Sequence, residues 1–297
     1  MGMMLIFFGG TYLMPILTSI IYNDGALTEF VDAMVFCVLV GVGLWWPTRH
    51  FKRELQPRDG FLLVTLAWVM MAAIATAPLM MAIPNLSFTD AFFETMSGLT
   101  TTGATVLADL ELLPPSINLW RHELNWLGGM GIIVLAVAIL PLLGIGGMQL
   151  YKAETPGPMK DSKLTPRIAS TAKALWLVYF GITVACIISL WLVGMNWLDA
   201  ICHAFAAMAL GGFSTYDASV GHFDSPAIEA VLIVFMMLAG MNFATHFVAL
   251  RGRSLTAYWT DIEAKAFVVL IVSSTLVCAT YLWAMDTYEE WLTALRH

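Results

Sequence analysis

Ser97-Gly98-Leu99-Thr100-Thr101-Thr102-Gly103-Ala104-Thr105 is a polar, glycine-bearing loop set between two apolar runs, each long enough to cross a bilayer. Non-helical backbone at membrane depth leaves N–H and C=O groups unpaired, so it persists only where it is buried in protein or lines a watery cavity. Small residues suit a lining, and a glycine permits the turn that aims carbonyls inward. The stretch reads as a loop whose backbone carbonyls line a cation pathway.

A second copy supports this reading. Asp90-Ala91 stands thirteen residues before Gly103, and Asp199-Ala200 stands thirteen residues before Gly212, within Ala209-Leu210-Gly211-Gly212-Phe213-Ser214-Thr215. The offset is 109, and both copies follow one long apolar run and precede another. That order of parts is the mark of an internal repeat. Ser87 with Asp90, and Asn196 with Asp199, predict an N-cap and an acid three positions on, opening a re-entrant half-helix before each loop. Both acids are expected to start helices rather than bind ions. Glu94 and His203 occupy matching half-helix positions and are expected to bond locally or face a vestibule. Gly128-Gly129-Met130-Gly131 and Ala239-Gly240-Met241-Asn242 match at an offset of 111 and are expected to let helices pack closely.

Composition sets the surroundings. With 59% hydrophobic and 12% charged residues and a mean hydropathy of +0.79 over 297 residues, an ordinary water-soluble domain is excluded. A hydrocarbon core about 30 Å thick needs about 20 apolar residues. Seven segments qualify, at 3–22, 31–47, 61–83, 124–146, 172–194, 227–250 and 264–284. The predicted fold class is therefore an all-α polytopic membrane protein of about seven spans and two half-helices. Cys37, Cys186, Cys202 and Cys278 all lie in apolar segments without C-x-x-C spacing, so neither disulfides nor zinc are expected. Ile6 stands where myristoylation wants Ser or Thr, and no basic region precedes the first apolar run, so neither a lipid anchor nor a cleaved signal is expected.

Twelve of the fourteen Lys and Arg fall on one side of the predicted membrane, leaving Arg121 and Arg296 opposite. The positive-inside rule then makes the N-terminus cytoplasmic. The outer side collects Asp24, Glu29, Asp90, Asp109, Glu111, Glu123, Asp199, Asp217, Asp224, Asp286, Glu289 and Glu290, an acidic rim of the kind that concentrates cations. On the cytoplasmic side, Glu154-Thr155-Pro156-Gly157-Pro158 and Thr165-Pro166-Arg167 read as a surface link too Pro-rich to be one helix, either a tether or a partner's surface. A third unit begins at the end, where Trp291-Leu292-Thr293-Ala294-Leu295-Arg296-His297 repeats Trp197-Leu198-Asp199-Ala200-Ile201-Cys202-His203 with four identities in seven.

Thr-Thr-Thr-Gly-Ala-Thr at 100–105, Gly-Gly-Phe-Ser-Thr at 211–215 and the Pro-Gly-Pro link together resemble the Trk/Ktr/HKT superfamily of potassium transporters, most nearly its TrkH branch. The resemblance divides the chain into a leading helix pair (1–58), pore repeat one (59–146), a cytoplasmic linker (147–171), pore repeat two (172–251) and an incomplete repeat three (252–297). It implies four such units around one ion path, and a homodimer in the bacterial inner membrane, in contact with lipid. It also implies a cytoplasmic nucleotide-binding partner of the TrkA type, and no nucleic acid. Potassium is implied as the transported ion, coordinated by carbonyls of Thr101, Thr102 and Gly103 and of Leu210, Gly211 and Gly212. The rest of repeat three and all of repeat four lie beyond this sequence. A membrane-embedded enzyme would need its polar residues His246, Asn242, Glu94, His203 and Lys265 to converge, and their spacing does not bring them together; interfacial positions or snorkelling are expected for His246 and Lys265. A scaffold or receptor subunit would not need two such loops in register.

Overall fold

Where no water can take its hydrogen bonds, an apolar run must fold as a helix. In a computed structural model that describes residues 1–50, 57–139 and 164–296, the described residues form helices and loops without a strand. Five helices are long and apolar enough to span a membrane: Gly2–Tyr22, Leu27–Thr48, Asp59–Ala82, Ala172–Leu192 and Ile262–Ala284. They cover five of the seven predicted segments. The chain is thus an all-α, multi-pass membrane protein.

The other two segments depart from expectation. The fourth belongs to a helix that begins at Pro115 rather than at 124 and is described to Ile139. Proline suits its first turn, where an N–H would go unused. Asp24, expected in the acidic outer rim, instead accepts the Ser116 amide at 2.8 Å and the Ala26 amide at 3.2 Å, fastening the turn of the leading pair to this helix start. Further down, Trp120 stacks on Tyr12 with ring centroids 4.4 Å apart, and its indole N–H donates to the Ala75 carbonyl at 3.1 Å.

The sixth segment is not one rod. Pro226–Gly240 and Phe243–Gly252 meet at 98°. Asn242 caps the second arm by accepting the Ala244 amide at 3.0 Å. His246, expected at the interface, is buried: its ring bonds the Leu238 carbonyl through Nε2 and the Tyr258 hydroxyl through Nδ1, both at 2.8 Å. A carbonyl can only accept, so Nε2 carries the proton and Nδ1 accepts. The Leu238 carbonyl, which also accepts the Met241 amide at 3.2 Å, thus gains a second donor beside the break. Lys265, by contrast, is exposed.

Two short helices, Phe88–Leu99 and Trp197–Ala209, are the predicted half-helices. Ser87 and Asn196 cap them as expected, accepting the amides of Asp90 at 3.1 Å and Asp199 at 2.9 Å. A third short helix, Trp291–Arg296, is tied to the start of the helix Pro226–Gly240 by Arg296, which reaches Glu229 at 2.7 Å and Asp224 at 2.8 Å. On the other side, the helix Leu164–Leu192 takes Thr165-Pro166-Arg167 into its first turn, so this part of the presumed link is helical. Glu154-Thr155-Pro156-Gly157-Pro158 lies outside the described residues.

Candidate ion pathway

The two loops share one backbone. Thr102 N–H donates to Ser97 O at 2.9 Å, and Gly211 N–H donates to Ala206 O at 3.0 Å, the same bond at the 109 offset. Thr101 to Gly98 O (2.9 Å) and Leu210 to Ala207 O (3.2 Å) form a second matched pair. Thr101 and Leu210 both have φ of 55°, and Gly103 and Gly212 follow at 71° and 80°. These left-handed conformations close each half-helix and turn the chain, and at Gly103 and Gly212 they call for glycine.

Among the described residues, the carbonyls of Thr101, Thr102, Gly103, Leu210, Gly211 and Gly212 accept no hydrogen bond. The half-helices leading into them are largely buried, yet Thr102, Leu210 and Gly212 are exposed. Leu210, Gly211 and Gly212 border a cavity of about 380 Å³, shared with His203, Glu229 and Arg296. The loops meet at Gly103, where an added Cβ would lie 1.4 Å from the Gly211 carbonyl oxygen.

Behind each loop the half-helix holds its outgoing strand. Glu94 accepts the Thr105 hydroxyl at 3.0 Å and the Val106 amide at 3.2 Å. Its counterpart His203 donates through Nδ1 to Asp199 O at 2.9 Å, which leaves Nε2 to accept the Ser214 hydroxyl at 3.1 Å. The residue types differ, but the position eleven residues on is held in both. Asp199 caps its helix as expected and does more, accepting the hydroxyls of Thr215 at 2.6 Å and Tyr216 at 3.0 Å. Burial and that carboxylate push the Tyr216 phenol up to about 12, which keeps it a donor. Asp217, expected in an ion-attracting rim, binds backbone instead, accepting the amides of Asp109 at 2.8 Å and Leu110 at 3.1 Å.

The helix Pro115–Ile139 backs both loops, and the reading by segment count obscured it. Asn118, Arg121, His122 and Asn125 lie at i, i+3, i+4 and i+7, and all four are buried. Arg121, expected among outer loops, is 1% exposed. Its Nε binds Glu94 at 2.8 Å, its Nη1 reaches the Ser214 carbonyl at 3.3 Å, and its guanidinium lies 4.7 Å from the Phe213 ring centre. One side chain therefore grips loop one and loop two together. Asn118 bonds Arg121 at 3.0 Å and the Leu110 carbonyl at 2.7 Å. One turn on, the helix narrows to glycine: a Cβ at Gly128 would strike Leu99 O at 2.0 Å, and one at Gly129 would lie 3.0 Å from the Ala209 Cα. The expected packing role of this glycine run is met, against the ends of both half-helices. Glu123 is also buried rather than in the outer rim. Polar residues at helical spacing just before an apolar run were the signal that could have revealed this face.

No group of three or more His, Cys, Asp or Glu side chains placed to hold a metal ion occurs among the described residues. The described residues thus form a helical membrane scaffold in which two half-helices end in carbonyls that accept no hydrogen bond. The sequence agrees with this. A family model described as TrkH, cation transport protein, matches residues 26–296, and the chain belongs to that family. The Trk system potassium uptake proteins TrkH of Escherichia coli (strain K12) and Salmonella typhimurium are each 50% identical over 295 residues, covering 99% of this chain and 61% of theirs. Escherichia coli TrkG is 39% identical over 276 residues. The crystal structure of the potassium transporter TrkH from Vibrio parahaemolyticus superposes with a TM-score of 0.89 at 45% identity, over 99% of this chain and 60% of that one. The chain thus spans about three fifths of the length of these relatives.

Proposed function

We propose that this chain forms half of the potassium pathway of a Trk-type uptake system, with Thr101, Thr102, Gly103, Leu210, Gly211 and Gly212 supplying coordinating carbonyls. The observation that carries the proposal is that these six carbonyls accept no hydrogen bond among the described residues, at matched positions of two repeats. Unpaired carbonyls beside a cavity are costly unless a cation or water takes them. The relatives named as potassium uptake proteins support potassium as the ion. The same reading places the chain in a bacterial inner membrane with its N-terminus cytoplasmic, as a homodimer served by a TrkA-type nucleotide-binding partner. Two loops provide about half of a fourfold ring, so the remaining carbonyls come from further repeats. The division into a leading pair, two full repeats and the start of a third belongs to this proposal.

The test uses a chimera that joins this chain to the part of the Vibrio parahaemolyticus transporter it does not span. It should restore growth of a potassium-uptake-deficient strain at low potassium. Gly212→Ser has open space around it and only the positive φ to contend with, so it should keep its abundance while sodium flux rises relative to potassium. Gly103→Ser must also displace Gly211, so its loss of discrimination should be larger. Unchanged selectivity in both variants at normal abundance, or an inserted chimera that passes no ion, would overturn the assignment.

A further inference from the structure

Asn125 is fully buried, and among the described residues neither its Oδ1 nor its Nδ2 has a hydrogen-bond partner. Its amide is pressed against the Cα of Gly211: a Cβ there would lie 2.1 Å from Nδ2, 2.2 Å from Oδ1 and 2.5 Å from Cγ. Gly211 is therefore glycine because Asn125 fills the space a side chain would need. Buried polar groups are normally paired, and an apolar side chain of the same volume would fill this site at no such cost. The asparagine is thus not explained by stability.

What surrounds it explains it better. The Gly211 carbonyl accepts no hydrogen bond, and the Gly212 amide donates none, among the described residues. The Asn125 amide carries a donor and an acceptor of the opposite kinds, one residue from that peptide. Elsewhere on the polar face Asn118 and Arg121 are bonded, and His122 donates through Nδ1 to Asn118 O at 2.6 Å, leaving its Nε2 without a partner among the described residues. Asn125 alone keeps both capacities free at the point where the two loops touch.

We infer that Asn125 is a positioning residue for ion discrimination, pairing with the Gly211–Gly212 peptide when that peptide turns between ion-holding and ion-free orientations. It supplies the hydrogen bond that the peptide loses when no cation occupies it, so the loop returns to one defined geometry. The inference rests on the reading of these loops as the ion filter.

The experiment is Asn125→Leu in the transport-competent chimera, which keeps volume and removes polarity. Thermal midpoint in detergent and abundance should be unchanged or higher, while the potassium-to-sodium flux ratio in vesicles falls about three- to tenfold, the worth of one hydrogen bond. Asn125→Ser, smaller yet polar, should be the less stable variant but retain more of the ratio. A ratio within twofold of the parent in Asn125→Leu at normal abundance would overturn the inference, as would loss of abundance in both variants, which would make the residue structural. If Gly212→Ser alters selectivity and Asn125→Leu does not, only this inference fails. If neither does, the filter reading fails with it.

Discussion

Arg121 shows what a single buried charge does here. It is 1% exposed, and it binds the carboxylate that holds loop one and a carbonyl of loop two. Removing one partner of a buried pair leaves the other charge uncompensated, at about 3–5 kcal/mol. Arg121→Gln and Glu94→Gln should each lower the thermal midpoint of the purified chain markedly, and the double variant should lose less than the two losses added. Strict additivity would mean that the pair is not coupled. Glu94's bond to its own loop was legible in part, since local bonding was one of two readings of it, but Arg121's role was not: it stood at the edge of an apolar run, where a loop residue and a buried one look alike. The N-caps Ser87 and Asn196 were legible, because their bonds are made within four residues. Bonds that join positions a hundred residues apart, such as Asp217 to Asp109, leave no trace in local pattern.

Among the elements, the bent pair Pro226–Gly240 and Phe243–Gly252 departs most from the simple picture of spans. Hydropathy counted it as one helix because both arms are apolar and no proline marks the break. The sign lies in Gly240-Met241-Asn242, a glycine followed by a capping residue, a motif that a packing role alone also fits. Gly240 does pack, since a Cβ there would meet the Phe267 ring at 2.6 Å, so the motif serves both purposes. His246 ties the second arm to the first by a further bond to the Leu238 carbonyl, which the Met241 amide also reaches. His246→Leu should leave the Leu238 carbonyl with the Met241 amide alone and the Tyr258 hydroxyl without its partner, and cost about 0.5–1.5 kcal/mol for each bond lost. Hydrogen exchange at the amides of 241–246 should rise in this variant, while that of the capped half-helices stays unchanged. Equal protection throughout would show that the bend needs no latch.

At the scale of the whole molecule, the outline was the most legible feature, since repeat spacing, span positions and glycine turns all follow from pattern. For orientation, charge supplies only an expectation. With Cys278, the exposed native cysteine, replaced by Ser, Leu112→Cys should be labelled in intact cells by an impermeant thiol reagent and Arg253→Cys should be protected. The reverse result would invert the pathway. The arrangement of the repeats is less even than their sequences suggest. Asn118, Arg121, His122 and Asn125 all stand on the helix that closes repeat one, and the matching helix of repeat two has Leu232 where Arg121 stands in the first. The two units are therefore not interchangeable: the helix that follows the first loop holds both loops. Substitutions on Pro115–Ile139 should disturb both glycine loops at once, because Arg121 binds Glu94 behind one and the Ser214 carbonyl of the other. A survey of tolerated substitutions should find the ancestral duplicates drifting at unequal rates, the lender more slowly than the borrower.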